Sequence, residues 1–161
     1  MVKKLLIGLV LLLIVGIWQF SVIYNKINHR NESIAQKAIT EANKQFKIRK
    51  IESVDEYRGQ KAYEVLKADL DNGTKLWIWM PEKGKTAVPM TARVSDGYTK
   101  QEIVQAFQKN VSYQRLVSVR LGMEKDMPVW EITFVDPNGT YVISYFDFYS
   151  GKSVINPIAL N

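Results

Sequence analysis

Cysteine is absent from the 161 residues, and histidine occurs once, at position 29. Without thiols there is no disulfide, no cysteine nucleophile and no thiolate ligand, and one imidazole cannot build a multi-histidine metal site. A body without cysteine also fits an extracytoplasmic setting, where stray thiols would cross-link. Acid–base work would fall to carboxylates alone, with Glu64 and Glu131 as the pair to consider. Asp69 and Asp71 lack the distal glutamate of a calcium loop. Glu82, Lys83, Gly84 and Lys85 lack the glycine spacing of a phosphate loop. Cofactor and metal are therefore expected to be none.

Charge is missing altogether from Leu5 to Tyr24. At about 1.5 Å per residue this run reaches roughly 30 Å, the hydrocarbon thickness of a bilayer. Leu5, Leu13, Trp18 and Tyr24 mark the predicted anchor, which would place the chain in membrane lipid as a single-pass protein. A signal peptide is the rival reading, but its core is shorter and ends at a small-residue cleavage site that this run does not supply. Lys3 and Lys4 on one flank face Lys26, Arg30 and Lys37 on the other, so charge alone does not set the orientation. The tail of four residues before the anchor favours the N-terminus inside and the body outside.

Glycine and proline are also missing from Ile17 to Arg58. Nothing there forces a break between the anchor and a predicted helix over 28–46, whose Ile34, Ala35, Ala38, Ala42 and Phe46 recur at helical spacing. The two would form one rod, unless Ser33 and Gln36 act as a capping box and start a fresh helix. Setting Lys3 and Lys4 aside leaves the body at +4 of the chain's +6. The basic residues are scattered among acidic ones, which speaks against nucleic acid.

What is present is a repeat. Strands are predicted at 48–57, 62–70 and 74–80, with a fourth at 88–94, and Asp71, Asn72 and Gly73 form a tight turn. The second pass opens with Thr99 and Glu102 at capping-box spacing and a helix to about Asn110 with Ile103, Ala106 and Phe107 inward. Strands follow at 115–123, 129–135 and 140–149, with Pro137, Asn138 and Gly139 turning the last pair and a short strand at 153–155. Ala62 to Val65 align with Val129 to Ile132, and Asn72 and Gly73 with Asn138 and Gly139. The expected fold is α+β: residues 1–24 as tail and anchor, then two copies of a helix packed on an antiparallel meander, 25–94 and 95–161. A unit of about 60 residues buries little surface alone, so the copies should pack together.

The strands are rich in aromatics on both faces. Trp77 and Trp79 oppose Leu76, Ile78 and Met80, while Tyr141, Ile143, Tyr145 and Tyr149 oppose Val142, Phe146 and Phe148. One helix covers one face, so the other meets the second copy, a partner or solvent. Trp77, Trp79, Tyr141, Tyr145 and Tyr149 are the candidate protein-interaction surface, since Trp and Tyr dominate interface hot spots.

The stretches QKAYEVLKADLDNGTKLWIW, 60–79, and VWEITFVDPNGTYVISYFDFYSGKSV, 129–154, resemble a Firmicute family of tandem PepSY-like, cystatin-like proteins. This is the TseB (YpmB) family of cell-wall elongation regulators, and the resemblance covers essentially the whole chain. It implies a non-catalytic, single-pass protein of the cell membrane, with an extracytoplasmic body that binds a penicillin-binding protein. Alternatives are a PepSY-like inhibitor of an extracytoplasmic peptidase and a carboxylate-dependent wall hydrolase. The partner's identity, the docking face, the sign of the effect and the oligomeric state stay open.

Overall fold

The computed structural model describes residues 19, 32–82 and 88–160. The predicted anchor apart from Gln19, the rod joint and His29 lie outside the described residues. Among the described residues no helix is long and apolar enough to cross a membrane. The chain divides into a short N-terminal unit, Met1–Lys37, and a body, Ala38–Asn161. In the first, residues 32–37 are helical.

The element order begins with helix α1, described over residues 32–45. It continues with β1 (Ile48–Arg58), β2 (Ala62–Leu70), β3 (Lys75–Pro81) and β4 (Met90–Arg93). A 3-10 turn, Val94–Asp96, leads to α2 (Lys100–Asn110), then β5 (Arg115–Glu124), β6 (Met127–Val135), β7 (Tyr141–Asp147) and β8 (Ser153–Leu160). Each group of four strands is an antiparallel sheet in sequence order, so both are plain meanders, the first β1 to β4 and the second β5 to β8.

The turns repeat with the strands. Leu70 donates its N–H to the Thr74 carbonyl at 2.9 Å while Gly73 donates back to Leu70. Asp136, Thr140 and Gly139 make the same pair of bonds in the second sheet. Gly73 and Gly139 hold φ of 81° and 87°, the left-handed backbone that favours glycine. The capping box at α2 is present, with the Glu102 N–H donating to the Thr99 hydroxyl and the Thr99 N–H donating to the Glu102 carboxylate. These bonds satisfy two N-terminal donors of the helix, and they hold the Glu102 carboxyl below its ordinary value.

Several expectations are corrected. Residue 32 is already helical, so Ser33 is not the N-cap of a fresh helix. The strand expected to reach Tyr149 ends at Asp147, because Phe148 and Gly151 turn the chain there and Phe148 donates its N–H to the Pro128 carbonyl. The short strand at 153–155 runs on to Leu160, paired to β7 as far as Tyr141. Its position at the sheet edge tolerates Pro157. The first sheet's fourth strand is instead shorter, because Val94 enters the 3-10 turn. β5 and β6 extend to a two-residue hairpin at Lys125 and Asp126, which adopt φ of 50° and 60°.

Strand alternation builds two cores. Ala38 and Ala42 of α1 pack against Leu66, Ala68, Ile78 and Met80, the even-numbered face of the first sheet. The odd-numbered face, with Tyr57, Tyr63, Val65 and Trp79, joins Ile103 and Phe107 of α2 and the inner face of the second sheet in one larger cluster. Phe107 meets Phe134 and Phe146 edge-on at 4.9 and 6.1 Å. Full burial of such side chains contributes roughly 1.5–3 kcal/mol each. The two meanders are thus joined through the second face of the first sheet.

Candidate functional site

The joint between the sheets is made by a few specific contacts. Trp79 donates its indole N–H to the Gly122 carbonyl at 3.0 Å and meets Phe148 edge-on at 6.1 Å. The Tyr57 hydroxyl donates to Glu124 Oε1 at 2.7 Å, and the Gln60 N–H donates to the same oxygen at 3.2 Å. Gly122 lies under the Tyr57 ring, and a Cβ there would overlap it. Lys61 pairs with Asp126 at 2.8 Å on the surface.

Two carboxylates are buried at this joint. Glu124 and Glu131 are 4% and 8% exposed. Burial pushes the Glu131 carboxyl above its ordinary value, against the pull of Arg120 and of the Tyr57 and Tyr145 hydroxyls. Burial also raises the Tyr145 phenol, to about 12, and raises the Tyr57 phenol as well, which keeps both hydroxyls protonated as donors. Glu64, in the matching place of the first sheet, is likewise raised by burial, but among Glu56, Arg58, Glu82 and Asp55. The two glutamates therefore sit in separate sets of neighbours. Neither set contains an imidazole or thiol, and among the described residues no group of three His, Cys, Asp or Glu side chains is placed to hold a metal ion.

Beside the joint, a cavity of about 620 Å³ opens between the first sheet, strand β5 and the start of α2. Val65, Val119, Leu121 and Trp130 supply apolar surface, Trp77 and Tyr98 stand in its walls, and Asp55, Lys67, Lys100 and Arg120 reach its rim. Trp130 is held by an indole N–H bond of 2.9 Å to the Tyr98 carbonyl, and Tyr98 in turn donates its N–H to the Phe148 carbonyl. Lys67 lies 5.8 Å from the Trp77 ring centre and pairs with Glu52 at 2.8 Å. The Lys67 and Lys75 ammonium groups hold the Glu52 carboxyl down, at about 2.

The second sheet's outer face, opposite α2, has no helix over it. Tyr141, Ile158 and Leu160 are 43%, 46% and 47% exposed, and the register places Leu160 beside Tyr141 and Ile158 beside Ile143. Arg115 donates to the Tyr141 hydroxyl at 3.0 Å, which fixes the ring on the surface.

The five candidate interaction residues are thereby separated. Trp79 and Tyr145 are buried, the first in the joint and the second beside Glu131. Trp77 is half-buried in the cavity wall, Tyr141 lies on the open outer face, and Tyr149 is exposed in the turn after β7. Sequence reasoning missed Tyr57, Glu124 and Gly122, which carry no local signal because their partners lie in the other sheet. It also passed over Ile158 and Leu160, although Val154, Ile155, Ile158 and Leu160 were a usable signal for a longer strand.

Comparison with known proteins adds three likenesses. Residues 97–152 match the PepSY family, described as "Peptidase propeptide and YPEB domain". The chain is 27% identical over 134 residues, 83% of each chain, to the "Probable cell wall elongation regulator TseB" of Bacillus subtilis (strain 168). The solved structure of the "YpmB protein from Bacillus subtilis" superposes with a TM-score of 0.71 at 26% identity, covering 78% of this chain and 96% of that one.

Proposed function

We propose, from the premise that the chain belongs to a TseB/YpmB-like PepSY family, that it is a non-catalytic regulatory module of cell-wall elongation. It docks on a cell-wall synthetic enzyme, a penicillin-binding protein, and alters that enzyme's output without turnover of its own. The run Leu5 to Tyr24 anchors it in the cell membrane in a single pass, with the two units, 25–94 and 95–161, outside the cytoplasm.

The observation that carries the docking is the solvent-open half of the second sheet's outer face, where Tyr141, Ile158 and Leu160 stand together at the β7–β8 edge. Exposed apolar residues in a group, with an aromatic and Arg115 among them, have the composition of an interface centre. Trp77 and Tyr149 lie elsewhere on the accessible surface and are secondary contacts in this reading.

The test is site-specific photo-crosslinking in living cells from position 141 or 158 of the full chain, with position 65, buried in the joint, as the control. Capture of a penicillin-binding protein from 141 or 158 but not from 65 is expected. Full expression of the chain with no such capture from either surface position overturns the docking reading.

A second reading is favoured by the PepSY match over 97–152: inhibition of an extracytoplasmic peptidase. It requires the full chain to slow wall-associated peptidase activity in membranes. A chain that leaves that activity unchanged at stoichiometric excess removes it.

A further inference from the structure

Among the described strands the second sheet has two free edges, β5 and β8, and they are not alike. In β8, Pro157 supplies no N–H, which blunts that edge against a further strand. β5 contains no proline, and Val119, Arg120 and Leu121 of it line the cavity beside the joint. We propose that this stretch of β5 is a docking site for an acidic, extended peptide segment of a partner protein, which joins the second sheet as an added strand.

The direction of the β5 backbone follows from the bonds of β6. Pro128 turns its carbonyl away from β5 to accept from the Phe148 N–H, and Val135 turns its carbonyl the other way to accept from the Gln114 N–H, just before β5. Direction alternates along a strand, so Val129 and Glu131 face β5, and their partners Gly122 and Arg120 face β6. Val119 and Leu121 therefore turn their N–H and C=O groups outward, where β5 has no neighbouring strand among those described. An edge of this kind, set in a concave wall, recognises a backbone.

Charge selects the kind of peptide. Lys100 and Arg120 stand at the cavity, and neither is in an ion pair among the described residues, although the Arg120 charge acts on the buried Glu131. β1 also has a free edge there, but its Asp55 and Glu56 carboxylates repel an acidic segment and leave β5 as the strand that takes it. Lys67 lies over the Trp77 ring and is engaged by Glu52, so the uncommitted positive charge sits on the β5 and α2 side. Val65 and Trp130 offer apolar surface to alternate side chains of the added strand. A small anion would use the two cations and leave the strand edge and the apolar wall unmatched. A neutral saccharide would leave the cations without a counter-charge. This surface is separate from the outer face at Tyr141, and the inference does not rest on the docking reading.

The experiment uses the full chain in lipid nanodiscs, titrated with a capped octapeptide of alternating valine and glutamate. The comparison probes are the same octapeptide with lysine for glutamate, its fully N-methylated form, inorganic phosphate and chitotetraose. Calorimetry gives the affinity, and amide hydrogen exchange gives the location. Saturable binding of the glutamate octapeptide is expected, at least tenfold tighter than that of the lysine or the N-methylated form. Arg120→Ala and Lys100→Ala should each weaken it at least threefold. At saturation the Val119 and Leu121 amides should exchange at least fivefold more slowly, while the Gly122 amide, which faces β6, is unchanged. Tyr141→Asp, on the separate outer face, should leave binding unchanged, so failure here and failure of the docking reading are distinguishable. No saturable binding of the glutamate octapeptide to the folded wild-type chain overturns the proposal, as does equal binding of the lysine or N-methylated form. Protection along β1 or β8 in place of β5, or tighter binding of phosphate or chitotetraose, also overturns it.

Discussion

The two meanders share strand order, turn bonding and a buried glutamate at matching places, yet they use their faces differently. In the first sheet both faces work in packing: the even-numbered side lies under α1, and the Tyr57–Trp79 side joins the second sheet. In the second sheet the inner face holds α2, while the outer face is closed at Val129, Glu131, Val135 and Tyr145 and is open at Tyr141, Ile158 and Leu160. The helices differ in step. α1 offers the small Ala38 and Ala42, and α2 offers Ile103 and Phe107. The first meander gains much of its buried apolar surface from the joint, whereas the second carries an aromatic core around Phe107 of α2.

If the first meander leans on the second, the sharpest way to break the relation is Trp79→Ala. Loss of a fully buried indole costs about 3–5 kcal/mol and also leaves the Gly122 carbonyl without its donor. Hydrogen exchange should show residues 38–82 losing protection well before 99–152. Uniform loss in both would show that the two sheets stand or fall together.

A smaller effect is expected of Tyr57→Phe, which keeps the ring on Gly122 but removes the donor to Glu124. The carboxylate keeps the Gln60 N–H alone, so the cost is about 1.5–3 kcal/mol in a denaturant titration. A value near zero would mean that the ring alone, and not the buried bond, joins the sheets.

The smallest effect concerns the matched glutamates and reads as a slope in pH. Both carboxyls have native values raised by burial, so the native state holds their protons more tightly than the unfolded chain does. Stability is therefore highest below the ordinary value of 4.5 for these two groups and falls as pH rises from there through their raised native values. Glu131→Gln should flatten the slope, and Glu64→Gln together with it should flatten it further. Measurements of the denaturant midpoint from pH 4.5 upward avoid the opposite contribution of Glu52, whose native value near 2 makes it lose stabilisation only on acidification below 4.5. Equal slopes in wild type and double variant would show that the two buried sites are not a matched pair in energy.

Much of this molecule was legible from local pattern. The alternation of Leu76, Ile78 and Met80 against Trp77 and Trp79 assigned two faces to β3, and both are used as alternation requires. Asn-Gly at 72–73 and 138–139 marked the equivalent turns, since a left-handed backbone strongly favours those residues. Thr99 with Glu102 located the start of α2. Less legible were the ends of strands: Tyr149 has the composition of a strand residue, but its neighbours Phe148 and Gly151 are committed to contacts with Pro128 and Tyr98. The candidate surface was readable only as a set of aromatics, because an aromatic in a strand looks the same whether it faces a core, a cavity or water.

The sequence by itself determined the two helix-and-meander copies, the turns that close them and the residues that share each strand face, because periodicity, capping and backbone preference act over a few neighbours. Only the tertiary structure decided which of those faces meet. Trp79 went inside because Gly122 leaves room for Tyr57 and offers a carbonyl to the indole, and Tyr141 stayed outside because nothing in the described body packs over the β7–β8 end of the second sheet. Those choices rest on contacts between residues more than forty positions apart, and no local pattern encodes them.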